Sequence, residues 1–568
     1  MNQTRTFLLF AWIAVAVLLF MRWNEPTAVV PAADPTAAAI PADAPPVLAD
    51  DGSAPPTAPS TGPLPEAAPA PVVVETNART ISVASDVLDL RIDTRGGTLV
   101  GAELLQYPVK KETPDVRVQL LSGQPRTWSV AHSGLAAVGG GAAPTHEALF
   151  QVEGGQTAFR LADGADSLEV PLLWTDPATG LSVRKVFVLS RGSYAVTVRH
   201  EIANRGAAPW RGFGYTQLQR AIQGSGGYSF TNPETYSFVG AAWYDPIEKF
   251  EKVKTEDLID DGALSRDATG GWIGMLQHHF AVAWIPATDE PQKFTMQALA
   301  GNQRYQVRGI GAAFEVAPGS ELTREVRIWV GPKLQEQMQQ IAPGLNKTLD
   351  YGIFTFIAQP MFDYVLSPLH KLTGNWGWAI ILTVVIIKLA LLWVSAKQYK
   401  SAARMRAIQP RLEALKERYG DDRNKYAQAQ MELFRKEKIN PLGGCVPILV
   451  TFPIFIALYY MLLESVEMRQ APWIGWIQNL TAPDPYYVLP ALNLAVMYLT
   501  QKMTPMPGMD PMQKKMMTFM PLAFGVVMAF FPAGLVLYWC TNGLLGLLQQ
   551  WIMTRRYGGA TPAKAAAK

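Results

Sequence analysis

Hydrophobic and polar positions follow two different rhythms along the chain. Between about residues 76 and 332 they alternate with period two. Leu88, Leu90 and Ile92 alternate with Asp89 and Arg91, and Tyr194, Val196 and Val198, then Val326, Ile328 and Val330, obey the same rule. Period two belongs to strands with one buried face. Arg95-Gly-Gly, Gly139-Gly-Gly and Gly224-Ser-Gly-Gly punctuate these runs as turns. The pattern predicts a large antiparallel β-sandwich. Asp245, Glu248, Glu251, Asp257, Asp260 and Asp261 form no acid/base pair there and read as a solvated face; the fold alone gives the domain no function.

The second rhythm is continuous apolarity. It covers residues 7–21 and then 376–394, 442–463, 487–500, 516–531 and 533–552. Runs of this kind read as membrane helices. The sequence therefore predicts a polytopic α-helical membrane protein with six transmembrane helices and a large β-sandwich domain. The first run ends in Leu19-Phe-Met-Arg22-Trp, bulky and charged where a cleavage site needs small residues, and so reads as a retained anchor. Residues 24–75, rich in Pro and Ala, read as a disordered tether. Leu345, Leu349, Ile353 and Phe356 fall at helical spacing and predict an amphipathic helix lying in the membrane interface. Met405, Ile408, Leu412, Leu415 and Tyr419 make the stripe of another amphipathic helix, which turns at Gly420-Asp421-Asp422 into a second.

The expected order is an anchor at 1–23, a tether at 24–75, the β-sandwich at 76–340 and the interfacial helix at 341–372. A second transmembrane helix follows at 373–395, a basic helical hairpin at 396–440, transmembrane helices three to six at 441–552 and a tail at 553–568. Basic residues are dense in the hairpin and the tail and sparse in alternate loops. That places both termini and the hairpin in the cytoplasm and the β-domain outside. Two of the spans have only about 14–16 apolar residues, about 21–24 Å of helix against a hydrocarbon core near 30 Å, a mismatch that thins lipid locally.

Charge changes the picture at one point. Lys388 sits inside the 376–394 run. A lysine at a helix centre costs about 2.5–3.5 kcal/mol on insertion scales, so it either snorkels toward the headgroups or faces a wet cavity. Thr451, Asn493, Thr541, Asn542 and Gln549 also interrupt apolar runs. Singly each is an interhelical hydrogen bond; together with Lys388 they outline a hydrophilic concavity. The net charge of +3 says little about partners. The two cysteines, Cys445 and Cys540, leave the β-domain without a disulfide framework, and the histidines lack metal-ligand spacing. There is no Gly-rich phosphate loop, so the chain is expected to use no nucleotide and no cofactor.

Six motifs then carry a resemblance. Gly374-Asn-Trp-Gly-Trp-Ala-Ile-Ile, Asn440-Pro-Leu-Gly-Gly-Cys445-Val-Pro, Phe452-Pro-Ile-Phe-Ile-Ala-Leu-Tyr-Tyr, Gln470-Ala-Pro-Trp, Asp510-Pro-Met-Gln and Phe531-Pro-Ala-Gly-Leu-Val-Leu-Tyr538 stand in order. Together they resemble the YidC membrane protein insertases of the oxidase-assembly family, in the long form of two-membrane bacteria. The resemblance implies a five-helix insertase core in the inner membrane, a periplasmic β-domain and a non-enzymatic insertase and chaperone activity. It implies a groove open to the cytoplasm, in which a positive residue receives the polar segment of a nascent membrane protein. Lys388 falls at that position, where relatives usually carry Arg. Thr451 and Asn542 match groove-lining positions, and Tyr538 and Trp539 match positions that contact the client helix. Arg404, Arg406, Arg411 and Arg418 belong to the hairpin, which with the tail is implied to meet the ribosome and the signal recognition machinery. The Sec translocon and the phospholipid bilayer are the other implied partners. A secondary transporter, with internal repeats and alternating access, and a membrane-anchored periplasmic carbohydrate-binding protein are the rival readings.

Overall fold

A computed structural model describes residues 44–46, 78–222, 237–299, 301, 303–393, 395–396, 408–419, 422–437, 446–503, 525 and 527–557. The expected anchor, nearly all of the tether, the 516–531 span up to residue 524 and the tail beyond Tyr557 lie outside these residues. The chain divides into two units, Met1–Leu349 and Asp350–Lys568.

The first unit contains an eleven-stranded and a nine-stranded sheet. Five central strands define it: β1 (Ser129–Ala137), β2 (Leu181–Ser190), β3 (Ala195–Asn204), β4 (Trp210–Ala221) and β5 (Ser320–Pro332). β1 and β4 pair antiparallel in the larger sheet, while β3 lies between β2 and β5 in the smaller one. Pairing is antiparallel almost throughout; Ser82–Ala84 against Ala158–Arg160 is parallel. Alternation set the strand faces correctly where one side is wet: Leu88, Leu90 and Ile92 are fully buried. At the end of β5 the rule gives way, and Ile328, Trp329 and Val330 are all buried, because both faces of that strand are covered. Leu135 from the larger sheet packs with Leu181, Val183, Ile202 and Leu322 from the smaller, so the core lies between them. Asp245, expected on a solvated face, is 4% exposed and accepts the Ile247 N–H.

Inside this core sits a charge the alternation pattern did not flag. Lys185 of β2 is fully buried, and its Nζ donates to the carbonyls of Gly96 (2.8 Å), Gly97 (3.1 Å) and Ser133 (2.7 Å). His132, His146 and His200 are buried with it, and His146 Nδ1 lies 2.5 Å from the Tyr215 hydroxyl. Burial lowers the Lys185 ammonium to about 7, against three carbonyl dipoles that hold its proton, and lowers the His200 imidazole to about 3. Both groups take up protons more readily when unfolded. Stability should therefore fall as pH drops from the unfolded lysine value near 10.4 to about 7, and again from about 6.5 to 3. Melting of this unit in the full chain is expected to occur at a lower temperature at pH 5 than at pH 8, with a smaller difference in His200→Gln. An unchanged or higher melting temperature on acidification would contradict this.

The second unit is helical. Its principal helices are α1 (Trp376–Ala390), α2 (Gln409–Tyr419), α3 (Arg423–Lys436), α4 (Val446–Glu464), α5 (Val488–Met503) and α6 (Ala533–Tyr557). The amphipathic helix expected from Leu345 to Phe356 is broken: Leu345–Thr348 is a short 3-10 turn in the first unit. The second unit opens with a second 3-10 turn, Gly352–Phe354, entered through Gly352 at φ 58°, and its first α-helical turn starts at Thr355.

Among the described residues, no helix is long and apolar enough to cross a membrane. This overturns the six-transmembrane, polytopic fold class, and with it the multi-pass inner-membrane topology with cytoplasmic termini and an external domain. The physical reasons differ by helix. α1 and α5 have 15 and 16 residues, about 22–24 Å at 1.5 Å per residue, short of a core near 30 Å. α4, at 19 residues, reaches about 28 Å and contains Pro453. α6 has 25 residues, but Thr541, Asn542, Gln549, Gln550 and Arg555 lower its apolarity. The architecture is thus a two-sheet β-unit followed by a helical unit.

Candidate functional site

Asn375 starts α1. Its side-chain oxygen accepts the N–H groups of Gly377 and Trp378, at 2.9 and 3.3 Å, satisfying donors that a helix start leaves open. Its amide nitrogen donates to the Trp473 carbonyl at 2.9 Å. Gly377 is required here: a Cβ would come within 2.1 Å of the Trp473 ring. The segment after α4 is bound to itself and to the start of α6. Trp473 N–H donates to Ile477 O, Leu480 N–H to Ala471 O, Ala533 N–H to Ala482 O and Gly534 N–H to Leu480 O, all at 2.7–3.0 Å. Asp484 is buried and accepts from Trp476 Nε1 and from the N–H groups of Tyr486 and Leu489, which fixes the start of α5. The shared N-terminal end of α1 and α6 is closed by this loop.

From that end α1 and α6 run in the same direction. Ile380 packs near Gly534, and further along both helices Lys388 meets Gly546, its Nζ 3.7 Å from where a Cβ at 546 would stand. Lys388 lies twelve residues after Trp376, about 18 Å from the closed end. It is half-buried, and no ion pair found among the described residues includes it. On α6, Trp539, Asn542 and Gly546 are three and four positions apart and share one face. Asn542 is half-buried on the face that meets Lys388. Phe455 of α4 stacks on Tyr538 and Trp539, with ring centroids 6.0 and 5.4 Å apart. Thr451 is one turn before Phe455 on α4, and it is exposed.

The structure thus places Lys388 against the α6 face that holds Asn542 and Trp539, and joins Tyr538 and Trp539 to α4. Thr451 shares the Phe455 face but has no described contact with Lys388. The basic hairpin folds through a small apolar core of Ile408, Leu412 and Phe434, and Asp422 caps α3. Arg411 pairs with Glu437, and Arg418 stacks over Tyr419 at 5.4 Å. Arg404 and Arg406 lie outside the described residues. Sequence reasoning missed Phe455 and Gly546. Phe455 carried no signal beyond apolarity; Gly546 did, as a glycine inside a helix, which costs stability unless something needs the space. Among the described residues no group of acidic, His or Cys side chains is placed to hold a metal.

The arrangement defines a class: a protein with a half-buried lysine, Lys388, on an apolar helical cluster closed at one end, in a chain that also carries a two-sheet β-unit. Family models match in the same order, the YidC periplasmic domain over residues 80–364 and the 60Kd inner membrane protein over residues 368–560. The membrane protein insertase YidC of Stenotrophomonas maltophilia (strain R551-3) is 48% identical over 576 residues, covering 100% of both chains. That of Xanthomonas campestris pv. campestris (strain 8004) is 48% identical, covering 98% of each. A crystal structure of an active YidC insertase with its first transmembrane domain resolved aligns over 84% of this chain and 92% of its own. Its identity is 18% and its TM-score 0.38, too low to argue a fold from. The chain belongs to the YidC membrane protein insertase family.

Proposed function

We infer that this chain works as a membrane protein insertase and chaperone, which inserts and folds nascent membrane proteins without covalent chemistry. Full-length identity to curated insertases supports this over a transporter or a carbohydrate-binding protein. The observation that carries the mechanism is the half-buried Lys388 ammonium on the α6 face that bears Asn542. A polar or acidic segment of a client meets a positive charge and hydrogen-bonding groups there instead of bare hydrocarbon, which lowers its desolvation cost. Trp539, which is half-buried and stacks with Phe455, offers the client's apolar helix an aromatic surface backed by the buried Tyr538, and Thr451 extends the polar lining. Release of that helix into lipid supplies the driving force, so no nucleotide is needed.

The basic hairpin fits acidic partners. Arg411 and Arg418, with Arg404 and Arg406, are assigned to contact the ribosome and the signal recognition machinery, and the Sec translocon and phospholipid complete the working environment. The test is a photo-crosslinker placed in turn at Asn542 and at Trp476 of the closing loop, with a stalled nascent client in reconstituted vesicles. Crosslinks are expected at 542 and not at 476. Equal yields at both would remove the client from the Lys388 face.

A further inference from the structure

One short stretch of the Pro/Ala-rich tether lies against the β-unit. Pro46 is buried, and Ala44 and Pro45 before it are half-buried. Arg308, in the strand Arg304–Gly311, donates from Nη2 to the Ala44 carbonyl at 3.1 Å, across 264 positions of sequence. Gln217 of β4 stands directly opposite Arg308 in the ladder and fixes the guanidinium by accepting its Nε–H at 2.8 Å. A residue before proline is held extended, and Pro45 and Pro46 have no N–H, so this stretch offers its carbonyls and little else. The sheet has the opposite surplus. Nε2 of Gln217 and Nε2 of Gln306 are buried without a hydrogen-bond partner, and Gln306 lies two positions before Arg308, on the same side of its strand. A segment bringing N–H groups of its own would add further unpaired donors there; a proline pair adds none.

We propose that the face of the larger sheet around Arg308 is a docking site for the chain's own Ala44-Pro45-Pro46, recognised as an extended run of carbonyls without donors. Site and segment belong to one chain, so the segment is present at an effective concentration on the order of millimolar. That fills a site too weak to hold the same peptide when free. The first strand of the β-unit is Thr80–Ala84. Between Ala44 and Thr80 an extended Pro-rich chain would reach up to about 110 Å at 3.1 Å per residue. Docking takes this length out of the tether and makes Ala44 the first fixed point of the β-unit, which sets how far the unit stands from the N-terminal end of the chain.

The experiment measures one distance in the full chain, in phospholipid vesicles and without the two native cysteines. Spin labels are placed at Ala42→Cys, two residues before the contact, and at Lys293→Cys, an exposed position on the strand beside Arg308. The docked segment should give a narrow distribution below about 30 Å, since each label lies within about 10 Å of the contact. Arg308→Leu on the sheet and Pro45→Ser/Pro46→Ser on the tether should each move most of the population to a broad distribution centred beyond about 30 Å, as expected of a free chain of that length. Combining them should move it no further, because both break one contact. The tether carries a second run of the same composition, Ala54-Pro55-Pro56, and Pro55→Ser/Pro56→Ser should leave the short distance in place. Melting of the β-unit is read beside each variant. If Arg308→Leu unfolds it, the Pro45→Ser/Pro46→Ser pair, which changes no residue of the sheets, decides the case. A broad distribution in the parent, a short distance that survives the Pro45/Pro46 pair, or release by the Pro55/Pro56 pair instead would each overturn the proposal.

Discussion

Lys388→Glu is expected to suppress insertion of clients with acidic translocated segments by at least about 100-fold. Two unit charges 4 Å apart interact by about 4 kcal/mol at an effective dielectric constant of 20, and the substitution reverses the sign of that term. Lys388→Ala removes the attraction without adding repulsion and should be the milder lesion. Lys388→Arg keeps the charge and should insert close to the parent level, whereas a role that needs the compact ammonium would be lost with it. Clients whose translocated segments lack acidic residues should be nearly indifferent to all three. The measurement is protease protection of a client in vesicles containing equal amounts of each folded variant. Normal insertion by Lys388→Glu would take the charge out of the mechanism.

Lys185→Met is expected to have the largest effect on stability. The methionine fills similar volume but donates nothing, so the carbonyls of Gly96, Gly97 and Ser133 lose the partner that now sits 2.7–3.1 Å away. A buried polar group left without a partner costs about 1–3 kcal/mol, and three of them approach the whole stability of an ordinary domain, about 5–15 kcal/mol. The β-unit should melt many degrees lower or fail to fold, and its resistance to protease should fall with it. If the helical unit performs insertion, vesicles containing the variant should still insert clients at a substantial fraction of the parent rate. Complete loss of insertion beside an intact helical unit would move part of the activity into the β-unit.

These two lysines show how much was legible beforehand. Strand alternation was read well because a side chain of the wrong polarity on a one-sided strand has nowhere to go: Leu88, Leu90 and Ile92 all face inward. The same rule contained Lys185. Leu181, Val183, Phe187 and Leu189 share its parity and are buried, so β2 itself aims the lysine into the core. Its partners are carbonyls brought from residues 88, 89 and 52 positions away, which no local pattern reveals. Lys388 stood out because an apolar run makes a charge conspicuous. Phe455 was invisible because it acquires its role from Tyr538 and Trp539 on another helix. Hydrophobic runs were overread in the six-helix prediction. A run of apolar residues records burial, whereas helix length also depends on where Asn375 caps α1 and where the helix ends at Ala390. Arg404 and Arg406 fall outside the described residues, so the structure adds geometry only for Arg411 and Arg418 of that group.

The account depends on water reaching Lys388 from one end only. Single cysteines at 388, 542 and 476, in a chain without its native thiols, would be exposed to a small charged thiol reagent in reconstituted vesicles, with and without a stalled client. The account predicts labelling at 388 and 542, protection of both when the client occupies the site, and a client-independent rate at 476. No labelling at 388 and 542, or labelling that a bound client leaves unchanged, would contradict it.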